Sequence, residues 1–474
     1  QRERREEHSD ARGRPRREPA GWGGSVSGGE GMHDIEGIAR RIVESANGAE
    51  GIEVRVSRSR ETEVDILQGA VESLTVAGSE GISVRVVVDG RVGVASASSL
   101  APDIVAAVVA DARDNARFAE PDEFSGLATP DEIGDVTAVE LDLWRDDVIT
   151  TPTDAKVAMA LELERALAAA DPRIRGVESA GYGDGRVESY LLSTTGIEAR
   201  TRRTSASMSA SALAGPEDAT QTGYGYSRGR AVADLDPESI VQDAVLRSTR
   251  LLGATQPSTQ RLPVVLDPLV ARSVLSLWVA AMNAESVQKG RSMFAERLGE
   301  RIAPEFVDLV EDPTDPDALG AAEYDSEGVP TRRVDLVRAG VLSAFLHDVT
   351  TARRGGTVTT GSSLGGGPGA RATSLRPGTR TQEEIVASLP VGLYVQSISG
   401  LHSGTSTASG DFSVGATGLM IRDGAFAEPI REATIASTLP RMLLDLAEVG
   451  ADLDWMRYGG AATLLIGEMM LSGA

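Results

Sequence analysis

Two periods of apolar residues divide the chain into helices and strands. Ile35, Ile38, Ala39, Ile42 and Val43 recur at helical spacing and predict a helix from His33 to Ala46. Beyond it the period falls to two. Ile52 to Val56 alternates, as does Val64 to Ile66, and Ile82 to Val88 runs into Asp89-Gly90, a hairpin signal, and out through Val92. A second helical stripe of Ile104, Val105, Val108, Val109 and Ala112 follows Pro102-Asp103. Helix, antiparallel strands and helix make a small α+β unit ending near Phe118, with residues 119–150 a loop-rich connection.

The same pattern predicts helices over Ala155–Ala170, Pro237–Leu252, Pro268–Asn283 and Leu439–Val449. Strands are expected at Leu262–Leu266 and Ala462–Ile466, with hairpins about Ala339-Gly340 and Asp423-Gly424. Turns are read at Gly183-Asp184-Gly185 and Thr195-Gly196, and a mobile surface loop over 355–380. The expected fold is therefore α+β, a strand-rich two-domain protein. Residues 32–250 form the N-terminal domain that contains the small unit, and 251–474 an antiparallel, barrel-like C-terminal domain.

Composition narrows the chemistry. Seventy acidic residues against 47 basic give a net charge of −23, opposite to the positive footprint of nucleic-acid or anionic-membrane binding. No run of 18 apolar residues exists, so no membrane span is expected, and cytoplasm is the default location. The absence of Cys removes thiolate metal sites and thiol nucleophiles. Lys156 and Lys289 are the two lysines and neither follows Gly, which excludes a phosphate-binding GK[ST] loop. Residues 1–31 are arginine-, acid- and glycine-rich and read as a disordered tail without a credible export signal, with Met32 a candidate start.

The four histidines, His8, His33, His347 and His402, are too scattered for a helix-borne zinc site. Gly225-Tyr-Ser227-Arg-Gly229 fits the GxSxG pattern, but the helix that should follow the serine starts only at Asp236-Pro237. A glycine-softened strand end is the better reading. Asp325 and Glu327 sit two apart beside Gly328, as a general acid–base pair or, more simply, as a turn. His347-Asp348 reads as a solvent-facing pair at a hairpin end. His402, Asp411 and Ser413 cluster in a glycine-rich stretch able to contact a ligand.

From Glu323 onward the ordered segments Tyr324-Asp-Ser-Glu-Gly-Val-Pro-Thr-Arg-Arg, Asp335–Leu346, Ser409-Gly-Asp-Phe-Ser-Val-Gly-Ala-Thr-Gly and Glu428-Pro-Ile-Arg-Glu-Ala-Thr-Ile-Ala resemble the TldD/PmbA family. The likeness is to its PmbA (TldE) branch, and Glu61–Gly93 adds to it. The resemblance implies a heterodimeric metallopeptidase whose TldD-type subunit carries HExxxH on a helix and a late Cys around zinc or iron. Here the comparable helix, Ser273–Asn283, has no His, and the late Cys position falls near Tyr458-Gly459.

The implied role is the partner subunit without the metal centre, contributing no catalytic residue and no metal ligand. It would form one wall of a chamber where an unfolded peptide is held as an added strand, with Asp325, Glu327, His402, Asp411 and Ser413 as substrate-binding candidates. Two other readings stand beside it: a self-sufficient serine hydrolase using Ser227, and a non-catalytic peptide-binding or regulatory protein.

Overall fold

The computed structural model describes residues 34–456 and 459–473. The expected tail, His8, Met32, His33 and Tyr458 lie outside them. The N-terminal half is one antiparallel six-stranded sheet, in the order β3-β2-β1-β4-β5-β6. Its strands are β1 (Gly51–Leu67), β2 (Ala70–Val88), β3 (Arg91–Ala97), β4 (Ile174–Ser193), β5 (Glu198–Ala214) and β6 (Gln221–Gly229). The segments expected as separate strands at 52–56 and 64–66 are one strand. The expected turn at Gly183-Asp184-Gly185 is the middle of β4, where Gly183 pairs with Glu63 and Ser207. A glycine run bends a chain only when its neighbours do not supply a ladder, and here β1 and β5 supply one on both sides.

Strand parity decides which face does what. Even-numbered residues such as Ile52, Val54, Val64, Val84, Tyr182, Met208 and Ala210 are buried under helices. Those helices are α1 (Ile35–Glu44) and α2 (Pro102–Phe118) over one end of the sheet. After the short α3 (Pro130–Ile133) and α4 (Asp147–Thr150), α5 (Thr153–Ala169) and α6 (Pro237–Thr249) cover the other end. Odd-numbered residues of the central strands, among them Glu53, Arg55, Arg85 and Ser189, point the opposite way, toward the C-terminal half.

That second half contains a closed five-stranded barrel. In chain order it runs β7 (Gln260–Leu266), α7 (Pro268–Ala281), α8 (Ala284–Gln288), β8 (Leu309–Glu311), β9 (Val334–Arg338), β10 (Val341–Leu342), α9 (Val349–Gly355) and β11 (Thr373–Leu375). There follow α10 (Gln382–Ala387), β12 (Val391–Ser399), α11 (Leu401–Gly404), β13 (Asp411–Arg422), β14 (Ala425–Thr438), α12 (Leu439–Leu444), β15 (Leu446–Val449), β16 (Asp454–Met456), β17 (Gly459–Ala461) and β18 (Leu464–Ser472). β14, β13, β12, β7 and β18 pair in that order, and β14 pairs back with β18 to close the ring. β7 and β12 are parallel and the other barrel pairs antiparallel. A four-stranded sheet β10-β9-β8-β11 and the β16–β17 hairpin stand beside the barrel.

The strand-rich α+β fold with a barrel-like C-terminal region is as expected; three further local readings change. The helix expected over 439–449 stops at Leu444, because Leu446–Val449 pairs with β18. The stretch 355–380 is packed rather than mobile: Thr359, Ser362, Ser363, Thr373 and Leu375 are all buried, and β11 lies inside it. His347-Asp348 faces inward, with Asp348 capping α9 through Thr351 N at 2.8 Å. Asp267 joins the two halves. It caps α7, takes two hydrogen bonds from Arg247 of α6 at 2.8 and 3.0 Å, and accepts one from Tyr394 Oη of the barrel at 2.5 Å.

Candidate functional site

The loop carrying Asp325 and Glu327 presses on the odd-numbered face of the N-terminal sheet. Asp325 N donates to Val329 O at 2.9 Å and closes the turn; Gly328, at φ +74°, would drive a Cβ to 2.7 Å from Ile197 and 2.9 Å from Leu191. Asp325 Oδ1 accepts from the Glu327 and Val329 amides at 2.8 and 3.0 Å, and Oδ2 from Ser363 N at 3.0 Å. Glu327 Oε2 accepts from Val349 N at 3.0 Å, and its Oε1 lies 3.6 Å from Arg85. Each residue is only 3% exposed.

Electrostatics follows from that burial. Desolvation raises the Asp325 carboxyl above its ordinary range. Desolvation first, and the Asp325 charge second, push Glu327 up to about 8. Glu53 on β1 is raised by burial as well, and its Oε2 has no hydrogen-bond partner. Arg55 Nη2 donates to Ser326 O at 2.8 Å, and Arg371 Nη2 to Ser363 O at 2.6 Å. The two carboxylates expected as substrate contacts are thus spent on backbone amides. They pin the loop to the sheet and to α9.

His402, Asp411 and Ser413 lie elsewhere, on an exposed turn at one end of the barrel. His402 is in the single turn of α11, and Asp411 and Ser413 open β13, all three side-chain positions exposed. Asp411 Oδ2 accepts from Ser409 Oγ at 2.6 Å, and Met293 N donates to Thr407 O at 2.9 Å, tying the turn to the segment after α8. The structure brings these three together as neighbours. No hydrogen bond or ion pair joins them to Asp325 or Glu327 among the described residues.

Ser227 lies within β6 near its end, paired with Met208, and its Oγ accepts the Asp236 amide at 2.9 Å. The motif's glycines have a packing reason: a Cβ on Gly225 would come within 2.0 Å of Ile240 O on α6. Strand, strained turn and helix, the geometry a serine nucleophile needs, are not assembled there. Nothing in the order of residues pointed to another charged centre, the buried ion pair between Lys156 of α5 and Asp184 of β4. Lys156 also donates to Val148 O at 3.0 Å, and Tyr182 Oη to Asp184 at 2.6 Å. Neither Arg55 nor Arg371 carries a sequence signal, since their partners are 271 and 45 residues away for Ser326 alone.

Three family models match in succession: PmbA/TldA metallopeptidase domain 1 over residues 52–116, the central domain over 146–252 and the C-terminal domain over 259–473. Metalloprotease PmbA of Escherichia coli O157:H7 is 28% identical over 441 residues, covering 93% of this chain and 96% of that protein. A Haemophilus influenzae PmbA homolog is 26% identical over 89% of this chain and 92% of its own length. The crystal structure of TldE from Thermococcus kodakarensis superposes with a TM-score of 0.83 over 93% of this chain and 100% of that one; at 22% identity, that likeness concerns the fold. Matched in all three domains, and over almost its whole length by full-length relatives, the chain belongs to the PmbA/TldD family of metallopeptidases.

Proposed function

We propose that this chain is the subunit without the metal centre in a heteromeric, cytoplasmic TldD/PmbA-type peptidase that degrades or processes unstructured peptides. The observation that carries this reading is the chemistry of the helix comparable to the metal-bearing one. α7 offers Arg272, Ser273 and Ser276 on its less buried positions, and Val274, Leu275 and Trp278 on its buried side, with no imidazole or carboxylate between Pro268 and Ala281. It packs against β17, beside the position of the late Cys, where this chain has Gly459. Hydroxyls, a guanidinium and glycine do not fit a zinc or iron site, which takes imidazole, thiolate or carboxylate. Among the described residues no three His, Cys, Asp or Glu side chains converge.

The metal-activated water therefore belongs to a TldD-like paralogue in this reading, and this chain supplies binding surface. An extended peptide, once unfolded, has free backbone donors and acceptors with which to add to a sheet edge; a folded one has already used them. Among the described residues no helix is long and apolar enough to cross a membrane.

The test is peptide cleavage by this chain, by its HExxxH-bearing paralogue and by the co-expressed pair. Only the pair should co-purify as a heteromer and cleave flexible peptides, chelation should abolish the activity, and folded proteins should be spared. His402→Ala and Asp411→Ala should raise KM more than they lower kcat. Chelator-insensitive cleavage by this chain alone would end the reading.

A further inference from the structure

The first half of β2 is an unprotected strand edge. β3 pairs with β2 only over Ile82–Val88, so Ala70–Ser79 pairs with β1 on one side and, among the described residues, with no strand on the other. Natural sheets blunt such edges with Lys, Pro or a covering element, because free N–H and C=O groups template another strand. Between Ala70 and Ser79 there is no Lys, Arg or Pro. The one irregularity of its ladder with β1 is an extra residue, Glu72, between Val71 and Ser73.

Cross-strand register decides what an added strand would meet on each face. Val71, Leu74 and Val76 stand opposite Ile66, Val64 and Thr62, on the face that α5 covers farther into the sheet. They are 43%, 47% and 43% exposed, an apolar row left open where the sheet ends. Arg60 and Arg186, register partners, line a cavity with Val76 on this face, and its carboxylate, Asp184, is already paired with Lys156. A further cation is unwelcome there. On the other face Ser73, Thr75 and Ala77 stand opposite Asp65, Glu63 and Glu61. β4 continues that face with Gly181, Gly183 and Gly185, so no Lys or Arg stands among these positions. None of the three carboxylates makes an ion pair among the described residues, and Asp65 accepts from Ser73 Oγ at 2.6 Å.

We propose that Ala70–Ser79 receives a flexible peptide as an added strand in line with β3, and that it selects peptides in which apolar and basic residues alternate. The two-residue period of a strand sends alternate side chains to opposite faces. Apolar ones cover Val71, Leu74 and Val76. Basic ones lie across the small Ser73, Thr75 and Ala77 toward Asp65, Glu63 and Glu61. Those residues are two strand spacings away, about 10 Å, a gap that a long basic side chain and a carboxylate close between them. A second copy pairing edge to edge would leave these carboxylates unmatched, since β2 carries no cation between Ala70 and Ser79. Recognition of the peptide rests on this edge alone, whereas its being a substrate rests on the partner-subunit reading.

The experiment is a fluorescence-anisotropy titration of the full chain, without any paralogue, using short end-blocked peptides. One alternates Val and Lys, one alternates Val and Glu, and one is the Val–Lys peptide N-methylated at every residue, which removes its backbone donors. The Val–Lys peptide should bind at least about tenfold more tightly than either of the others. Leu74→Lys, and separately Glu61→Lys combined with Glu63→Lys, should each weaken it about tenfold, and the double variant should gain affinity for the Val–Glu peptide. All three positions are exposed, so these variants should fold. No binding of the Val–Lys peptide, or equal binding of its N-methylated form, would overturn strand addition. Equal binding of the Val–Glu peptide would overturn the charge selection. A dimer of the parent chain in size-exclusion chromatography that Leu74→Lys dissolves would overturn the peptide in favour of a second copy. None of these measurements needs cleavage or a paralogue, so this inference and the subunit assignment fail separately.

Discussion

At the scale of single residues, buried charge governs what this protein tolerates. Glu327 is held near a pKa of about 8, well above the value it has in an unfolded chain. A carboxyl raised in this way binds its proton more tightly when folded. Its contribution to stability is complete below the unfolded pKa and is lost as pH rises through the folded one. Glu327→Gln keeps an acceptor for Val349 N and cannot ionise. The parent's melting temperature should therefore fall between pH 5 and pH 9, by this term, more steeply than the variant's, as circular dichroism melts across that range would show; parallel curves would refute it. The Lys156–Asp184 pair behaves differently. Removing one partner strands a charge 4–6% exposed, so Lys156→Met should cost about 3–5 kcal/mol in urea unfolding. Lys156→Met combined with Asp184→Leu should recover much of that loss, because no uncompensated charge remains.

At the scale of elements, the strand β6 and the helix α6 show how a catalytic pattern arises for packing reasons. Gly225 lets α6 approach, and Ser227 supports the Asp236 amide where that helix begins. Asp236 itself accepts from the Glu238 and Ser239 amides, and Pro237 fills the first turn, a complete helix start. Ser227→Ala should thus remove one hydrogen bond, about 0.5–1.5 kcal/mol of stability. In the proposed heteromer, the same substitution should leave peptide cleavage within a few-fold of the parent. A nucleophile's loss would instead cost on the order of 10⁴ or more in kcat, so a single progress curve separates the two. Gly225→Val should be far more damaging, since the added side chain meets backbone that cannot move without shifting α6.

At the scale of the whole molecule, the fold sets a helix-covered sheet, a charged interface and a barrel in series. Burial raises two carboxyls most clearly, Glu327 to about 8 where its loop meets the sheet and Glu311 of β8 to about 7. α7 packs against β17 beside the barrel, and in the proposed subunit assignment these elements stand where the paralogue holds its metal. Purified alone and dialysed, the chain should hold well under one equivalent of zinc or iron by elemental analysis. A tightly held equivalent would reveal a site built from carboxylates that the described side chains do not bring together.

Local physics was readable in the order of residues. Period-two and helical stripes located most elements, and Asp89-Gly90, Ala339-Gly340 and Asp423-Gly424 form turns with both residues at positive φ, as their sequences require. The family motifs around Tyr324–Arg333 were legible as well. Facing was not. Whether Asp325 and Glu327 meet solvent or backbone depended on Ser363, Val349 and Arg85, up to 242 residues distant. Gly183 and Gly185 likewise read as a turn until two neighbouring strands supplied their ladder. Periodicity records each residue's relation to its own backbone, so the sequence by itself determined the elements and their buried faces. Which charges were desolvated, and against what, was decided only when the two halves packed, because desolvation depends on atoms that are distant along the chain.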